Sequence, residues 1–433
     1  MNLYFLMSAL FIVMAVIAAL DASLASWGVL PWFNGLRWVR VHLVTLGVMT
    51  EALFGALPLL VAIRFGLPRP ASRRDIWIAL NAGILTLLIG IPIVNQALIL
   101  TGGTLVFAAT VLLVLQIQQM RPARASTDAT DLPATLPATQ PTALPTDLTT
   151  VPQEHAGRRF YLAGLGFFLL GIVIGTGLWL GWSGPLRIVA PLESHIHANN
   201  WGLMSLVFAG LIVDTYPRWA ARPLAWPGSV APIFWLMTFG ALGLVFGPWF
   251  QTLYLTVPGL VLHLTATVWL LLNVIRPLWG DRAAWSTPGI WHLVTSYFWI
   301  LAPVMMAPLV ILKVPGFPAA DIEANAPQAL IYGWVFQFGF AMLPYVFRRA
   351  FLPDEPPRLG GHWFSLATAT LGGICLWASI FILPQRGLLH GMAYALWAAA
   401  TVPIAVDLWR IVGRGLARLD VGEDLGAGSH TTG

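Results

Sequence analysis

Two apolar segments of this 433-residue chain carry a histidine followed by two glycines at the same intervals: His42, Gly47 and Gly55, and again His197, Gly202 and Gly210. A histidine within an apolar helix is costly unless something engages it, and glycines let another backbone or a flat cofactor approach closely. The matched spacing points to a duplicated, histidine-bearing unit around a buried cofactor, with Gly47 and Gly202 lining it. His195 adds an imidazole two residues before His197. Positions two apart lie about 200° apart around a helix, so this pair serves two sites, or one ring binds while the other hydrogen-bonds.

The nine histidines sort by depth. His155, His362 and His430 fall in a linker, at a helix edge and in the tail. His42, His195, His197 and His390 gather toward one end of their helices, His263 is near mid-helix, and His292 lies toward the other end. Any one of them is most simply satisfied by a carbonyl. Four at one level argue for ligation, with His263 and His292 completing the metal sites. Neutral imidazoles with no thiolate and few carboxylates suit heme iron or copper better than calcium or magnesium. Cys375 is the only cysteine, which excludes an internal disulfide, a CxxCH heme attachment and a two-cysteine copper centre. Electrons, if used, must arrive from another protein.

Proton-handling groups are the second requirement of such chemistry. Intramembrane carboxylates are expensive and usually functional, which singles out Glu51, nine residues beyond His42, and Asp214. Thr45, Thr50, Thr265, Thr267, Thr295 and Ser296 could line a water path with them, although such hydroxyls commonly satisfy themselves on their own helix. His390 and Tyr394 form a His-x-x-x-Tyr turn. Glu51 and Tyr394 are therefore the candidate catalytic side chains.

The elements that must position these residues are membrane helices. With 58% hydrophobic and 9% charged residues, 21 tryptophans and a mean hydropathy of +0.77, the chain is an all-α integral membrane protein. Its net charge of +5 is explained by loop arginines, not nucleic-acid binding. Apolar runs predict about twelve transmembrane helices, near residues 3–26, 38–63, 75–97, 98–119, 159–182, 194–216, 229–247, 251–275, 289–312, 328–347, 362–383 and 388–411. Arginines cluster after the even-numbered helices, whereas Arg37, Arg40, Arg187, Lys313 and Arg386 lie at the other side. The positive-inside rule then puts both termini in the cytoplasm of a multi-pass inner-membrane protein.

Residues 121–157, rich in Pro, Thr and Ala, read as a disordered cytoplasmic linker. The segment 107–116 resembles 264–273 at nearly the His42-to-His197 displacement, so the repeat is four helices long. A fainter third copy places Trp334 and Gly339 at the His-to-Gly interval, and Leu262, His263 and Ala266 recur as Leu389, His390 and Ala393. The expected organisation is three pseudo-repeats of four helices, 1–120, 158–282 and 283–413, the linker, and a cytoplasmic tail, 414–433.

The stretch His195-Ile-His197-Ala-Asn-Asn-Trp-Gly202, followed by Gly210 and Pro217-Arg-Trp219, resembles the HxHxxxxG helix of the NnrS-type membrane proteins of the nitric-oxide response. The threefold four-helix plan resembles the catalytic subunit (subunit I) of the heme-copper oxidase superfamily. These resemblances imply a twelve-helix heme protein, with b-type heme and copper as cofactors and His42, His195 and His197 as ligands. They also imply oxygen- or nitric-oxide-reductase-like oxidoreductase chemistry, electron transfer or nitric-oxide handling. A cytochrome c, a quinol or a partner subunit would donate electrons, nitric oxide or oxygen would be the ligand, and membrane lipid would surround the chain. The oxidase copper-histidine pair, the His-Pro-x-x-Tyr helix and the paired histidines of the tenth helix are absent here, where Tyr332, Trp334 and Gln337 stand instead. The contrasting expectation is a proton-coupled transporter or channel without heme.

Overall fold

The computed structural model describes residues 2–31, 36–121 and 156–427. The expected linker falls almost wholly outside the described residues, as do His155 and His430. Among the described residues every regular element is helical, and eleven helices are long and apolar enough to cross a membrane. In chain order the long helices are α1 (Leu3–Ser26), α2 (Arg37–Phe65), α3 (Arg74–Gly90), α4 (Gln96–Gln119), α5 (Gly157–Leu180) and α6 (Pro191–Trp219), followed by α7 (Pro227–Trp249), α8 (Leu253–Leu278), α9 (Pro288–Ile311), α10 (Ala319–Phe351), α11 (Trp363–Phe381) and α12 (Leu383–Arg418). Of these, α3 is the short one, at 17 residues. It stops before its predicted end at residue 97 because Pro92 cannot continue the helix ladder. Val94 then turns the chain at φ 53°, and the Asn95 side chain caps α4 by accepting from the Leu98 amide at 3.0 Å. At the far end the helix beginning at Arg386 runs on to Ala427, well past residue 413, where a tail was expected to begin.

Burial separates the helices into two sets. The apolar windows of α2, α6 and α10 are 89%, 83% and 100% buried, against 22–50% for the other spans. These three form the centre. Phe208 of α6 stacks on Phe338 of α10 at 3.8 Å between ring centroids, Trp201 lies 6.3 Å from Trp334, and the Arg218 guanidinium donates to the Ile63 carbonyl of α2 at 3.5 Å. Around them α3 pairs with α4, α7 with α8 and α11 with α12, while α1 closes against α12. Glycine makes the closest of these contacts: a Cβ on Gly83 would sit 2.9 Å from the Gly102 carbonyl, and one on Gly259 would sit 2.9 Å from that of Gly240. Such small-residue seams suit a medium in which tight packing replaces the hydrophobic effect between helices. The outer surface stays apolar, with Ile17, Ile78, Ile89, Trp235, Phe239 and Ile374 exposed toward lipid.

Each central helix contains one π-helical stretch: Leu43–Met49, Ala198–Met204 and Leu330–Val335. Turns of this type are uncommon and cluster at functional sites. The first begins directly after His42 and the second directly after His197. The third begins after Ala329, in the place that the histidines hold before the other two.

The two ends of the bundle differ. Tyr4 donates to the Arg73 carbonyl at 3.0 Å, Arg158 to that of Gln118 at 2.6 Å, and Arg222 pairs with Asp281 at 2.6 Å. These contacts, with Arg414 on Glu355 at 2.7 Å, define an arginine-rich end where α1 begins and α12 finishes. The Ala284 amide and then Arg222 hold the Asp281 carboxyl below the usual carboxylate range. At the opposite end Arg386 pairs with Asp321 at 2.7 Å, and Trp27 donates to the Leu388 carbonyl at 3.3 Å. Because Phe208 joins two central helices, Phe208→Leu is expected to cost about 1 kcal/mol, read as a lower thermal midpoint in detergent with the absorbance spectrum unchanged.

Candidate functional site

His42 ends the first α-helical stretch of α2, where Trp38 stacks on its ring at 4.1 Å and the Trp38 carbonyl lies 2.8 Å from Nδ1. Both contacts follow from i, i+4 spacing. His195 of α6 is fixed from outside its own helix: its Nδ1 is 2.9 Å from the Gly171 carbonyl of α5. Asn199, one turn on, donates to the His195 carbonyl at 2.8 Å. Helix α5 comes this close because Gly171 and Gly175 face α6; a Cβ on Gly175 would meet His195 Cε1 at 2.6 Å.

The His42 and His195 ring centroids lie 6.4 Å apart with planes 22° from parallel. A carbonyl oxygen only accepts, so Nδ1 carries the proton in both rings and each Nε2 keeps its lone pair. Carbonyl-anchored Nδ1 with free Nε2 is the arrangement of a metal-ligating histidine. Two metal–nitrogen bonds of about 2.0–2.1 Å, each extended by the roughly 1.1 Å from nitrogen to ring centre, place ligating centroids about 6.2–6.4 Å apart. The observed centroid separation falls within that span. Both residues are partly buried. Two imidazoles whose Nε2 atoms make no protein hydrogen bond among the described residues are the donor set that would hold a heme iron or copper.

The other predicted ligands go elsewhere. His197 points away from His195, as the two-residue spacing requires, with Nδ1 2.6 Å from the Leu244 carbonyl of α7. His263 has both nitrogens engaged, Nε2 with the Trp201 carbonyl at 3.2 Å and Nδ1 with the Thr267 hydroxyl at 3.4 Å. His292 meets the His362 carbonyl at 3.1 Å, and His390 meets Asn325 at 3.1 Å. Among the described residues no three histidine, cysteine, aspartate or glutamate side chains converge as a metal site. The six histidines thus make one pair and four separate side chains. Gly47 and Gly202 face Phe11 and Phe167; they serve helix packing and do not line the pair.

Tyr394 donates to Gln328 of α10, beneath the Arg40 guanidinium at 4.4 Å and beside His390 at 5.1 Å. The cluster ties α2, α10 and α12 together at the end opposite the arginines. Asp214 is buried and accepts from Tyr161 at 2.8 Å, whereas Glu51 is fully buried with neither carboxylate oxygen hydrogen-bonded. Thr265 is exposed and donates to the Val261 carbonyl, which removes it from any internal path. The His362–Asp407 pair at 2.8 Å links α11 and α12, and no local spacing announces it.

Fold and site together define a polytopic helical membrane protein with a paired-imidazole centre between α2 and α6. No protein-family model matches the chain, and no curated protein is similar to it.

Proposed function

We propose that this protein is a heme-binding membrane electron-transfer protein in which His42 and His195 would hold one b-type heme. The observation that carries this reading is the His42–His195 separation of 6.4 Å with both Nδ1 atoms anchored on carbonyls. When bound, heme supplies reversible one-electron chemistry. The protein's part is to fix both imidazoles, exclude bulk water with the α5, α2 and α6 walls, and tune the iron through the two carbonyl anchors.

Three matching π-turns in the three most buried helices support a threefold four-helix plan like that of the oxidase catalytic subunit. The arginine-rich end is then cytoplasmic, with both termini there, in an inner membrane. With both imidazoles engaged, the heme would be held for electron transfer and not for reduction of oxygen or nitric oxide. A cytochrome c, a quinol or a partner subunit would supply the electron. Copper belongs to this reading only as a competitor for the same pair.

The test is the reduced-minus-oxidised absorbance spectrum of the purified protein, with heme and copper quantified. One heme per chain, sharp low-spin bands and no shift with carbon monoxide are expected. Copper in place of heme, or a colourless protein made with ample heme supply, would contradict the proposal.

A further inference from the structure

Glu51 is the buried acid for which the heme reading has no use. It is 0% exposed, lies on α2 with His42, and has no hydrogen-bond partner on either oxygen. An ionised carboxylate in such a place is severely penalised. The polar group facing it is Asn81 of α3. Asn81 gives Nδ2 to the Trp77 carbonyl at 2.9 Å, and its Oδ1 is also without a partner. One amide with a single spare N–H is all that Asn81 offers a buried charge, too little to offset its desolvation, so the form that this place holds is the protonated acid.

One hydroxyl, that of Tyr4, stands on the arginine-rich side of this acid. Tyr4 of α1 donates to the Arg73 carbonyl at 3.0 Å and lies within electrostatic range of both Glu51 and Asp75. Beyond Glu51, Thr50 donates to the Thr45 carbonyl at 2.9 Å and Thr45 to that of Val41 at 3.0 Å, one residue from His42. The groups around Glu51 are few: Tyr4 from α1, and Arg73 and Asp75 at the start of α3. Helix α4 carries no titratable side chain. Tyr161 of α5 is committed to Asp214, and α10 contributes Tyr345, Arg348 and Arg349 at its arginine-rich end.

We propose that Glu51 is a proton-binding site between the arginine-rich face and the His42 centre, loaded from that face past Tyr4. The site itself stands on the buried carboxyl and its neighbours. Its use rests on the heme reading: the Glu51 acid, about 13 Å from His42 along the same helix, would release its proton toward an electron arriving there, and the carboxylate left behind would be reprotonated from the arginine-rich face.

Infrared spectroscopy of the purified full-length protein tests the site without requiring heme. The wild-type minus Glu51→Gln spectrum at pH 7 should contain the carbonyl band of a protonated carboxylic acid. Asn81→Ala, which leaves Glu51 in place, should shift that band. In heavy water the band should move, and Tyr4→Phe should slow this exchange at least about tenfold. Carboxylate bands in place of the acid band would overturn the site, and equal exchange in Tyr4→Phe would overturn the route. A colourless protein with the acid band would leave the proton site standing and sink the heme reading, favouring a proton-coupled transporter.

Discussion

His195→Gly is expected to convert the six-coordinate heme spectrum to a five-coordinate one that binds carbon monoxide, and His42→Gly is expected to do the same. The two ring centroids stand 6.4 Å apart, and each ring has its Nδ1 on a carbonyl. On the proposed ligation, removing either ring would remove one metal bond. His197→Gly should leave the spectrum unchanged, because His197 faces α7 and the Leu244 carbonyl. The contrast is sharp because sequence spacing ranks His197 as the counterpart of His42. Titrating each purified variant with carbon monoxide and following the absorbance checks it. Loss of the low-spin bands in His197→Gly, with His195→Gly unchanged, would transfer the site to the other face of α6.

The second large effect is predicted at a residue with no chemistry. A side chain on Gly175 would occupy the position of the His195 ring, with its Cβ 2.6 Å from Cε1 and 2.8 Å from Nδ1. Gly175→Val must rotate that imidazole or push α5 away. Either movement breaks the Gly171 carbonyl anchor. Losing such an anchor alone typically weakens metal binding about 10–100-fold, and displacing the ring adds to that. Gly166→Ala, where a Cβ meets nothing within 4 Å, is the matched control and should retain full heme content. Heme-to-protein ratios at equal expression measure the difference; equal ratios would mean that α5 does not press on His195.

The sequence made the helical membrane class and most helix positions legible, because an apolar run long enough to span lipid has few other uses. It also made His42, His195 and Glu51 stand out by chemical type. It could not say which of His195 and His197 meets His42. That choice depends on how α6 is rotated between α5 and α7, and the deciding partners are backbone carbonyls of Gly171 and Leu244, which leave no side-chain signal. The proposed repeat rests in the sequence on the histidine-to-glycine interval of its first two copies. In α10 the π-turn follows Ala329 and not Trp334, which offers a register five residues from the one matched by Trp334 and Gly339. The π-turns are set by hydrogen bonding along the backbone, which residue spacing does not encode. Similarly, Gly47 and Gly202 read as cofactor glycines but meet Phe11 and Phe167, since helix packing and cofactor access demand the same small residue.

The most direct measurement is the low-temperature electron paramagnetic resonance spectrum of the oxidised protein beside His42→Gly and His195→Gly, each with and without added imidazole. The account predicts a low-spin signal from two imidazoles in the wild type and a high-spin signal in both variants, with the low-spin signal restored by imidazole. A wild-type spectrum without a low-spin heme signal, or a low-spin signal that persists in either variant, would contradict it.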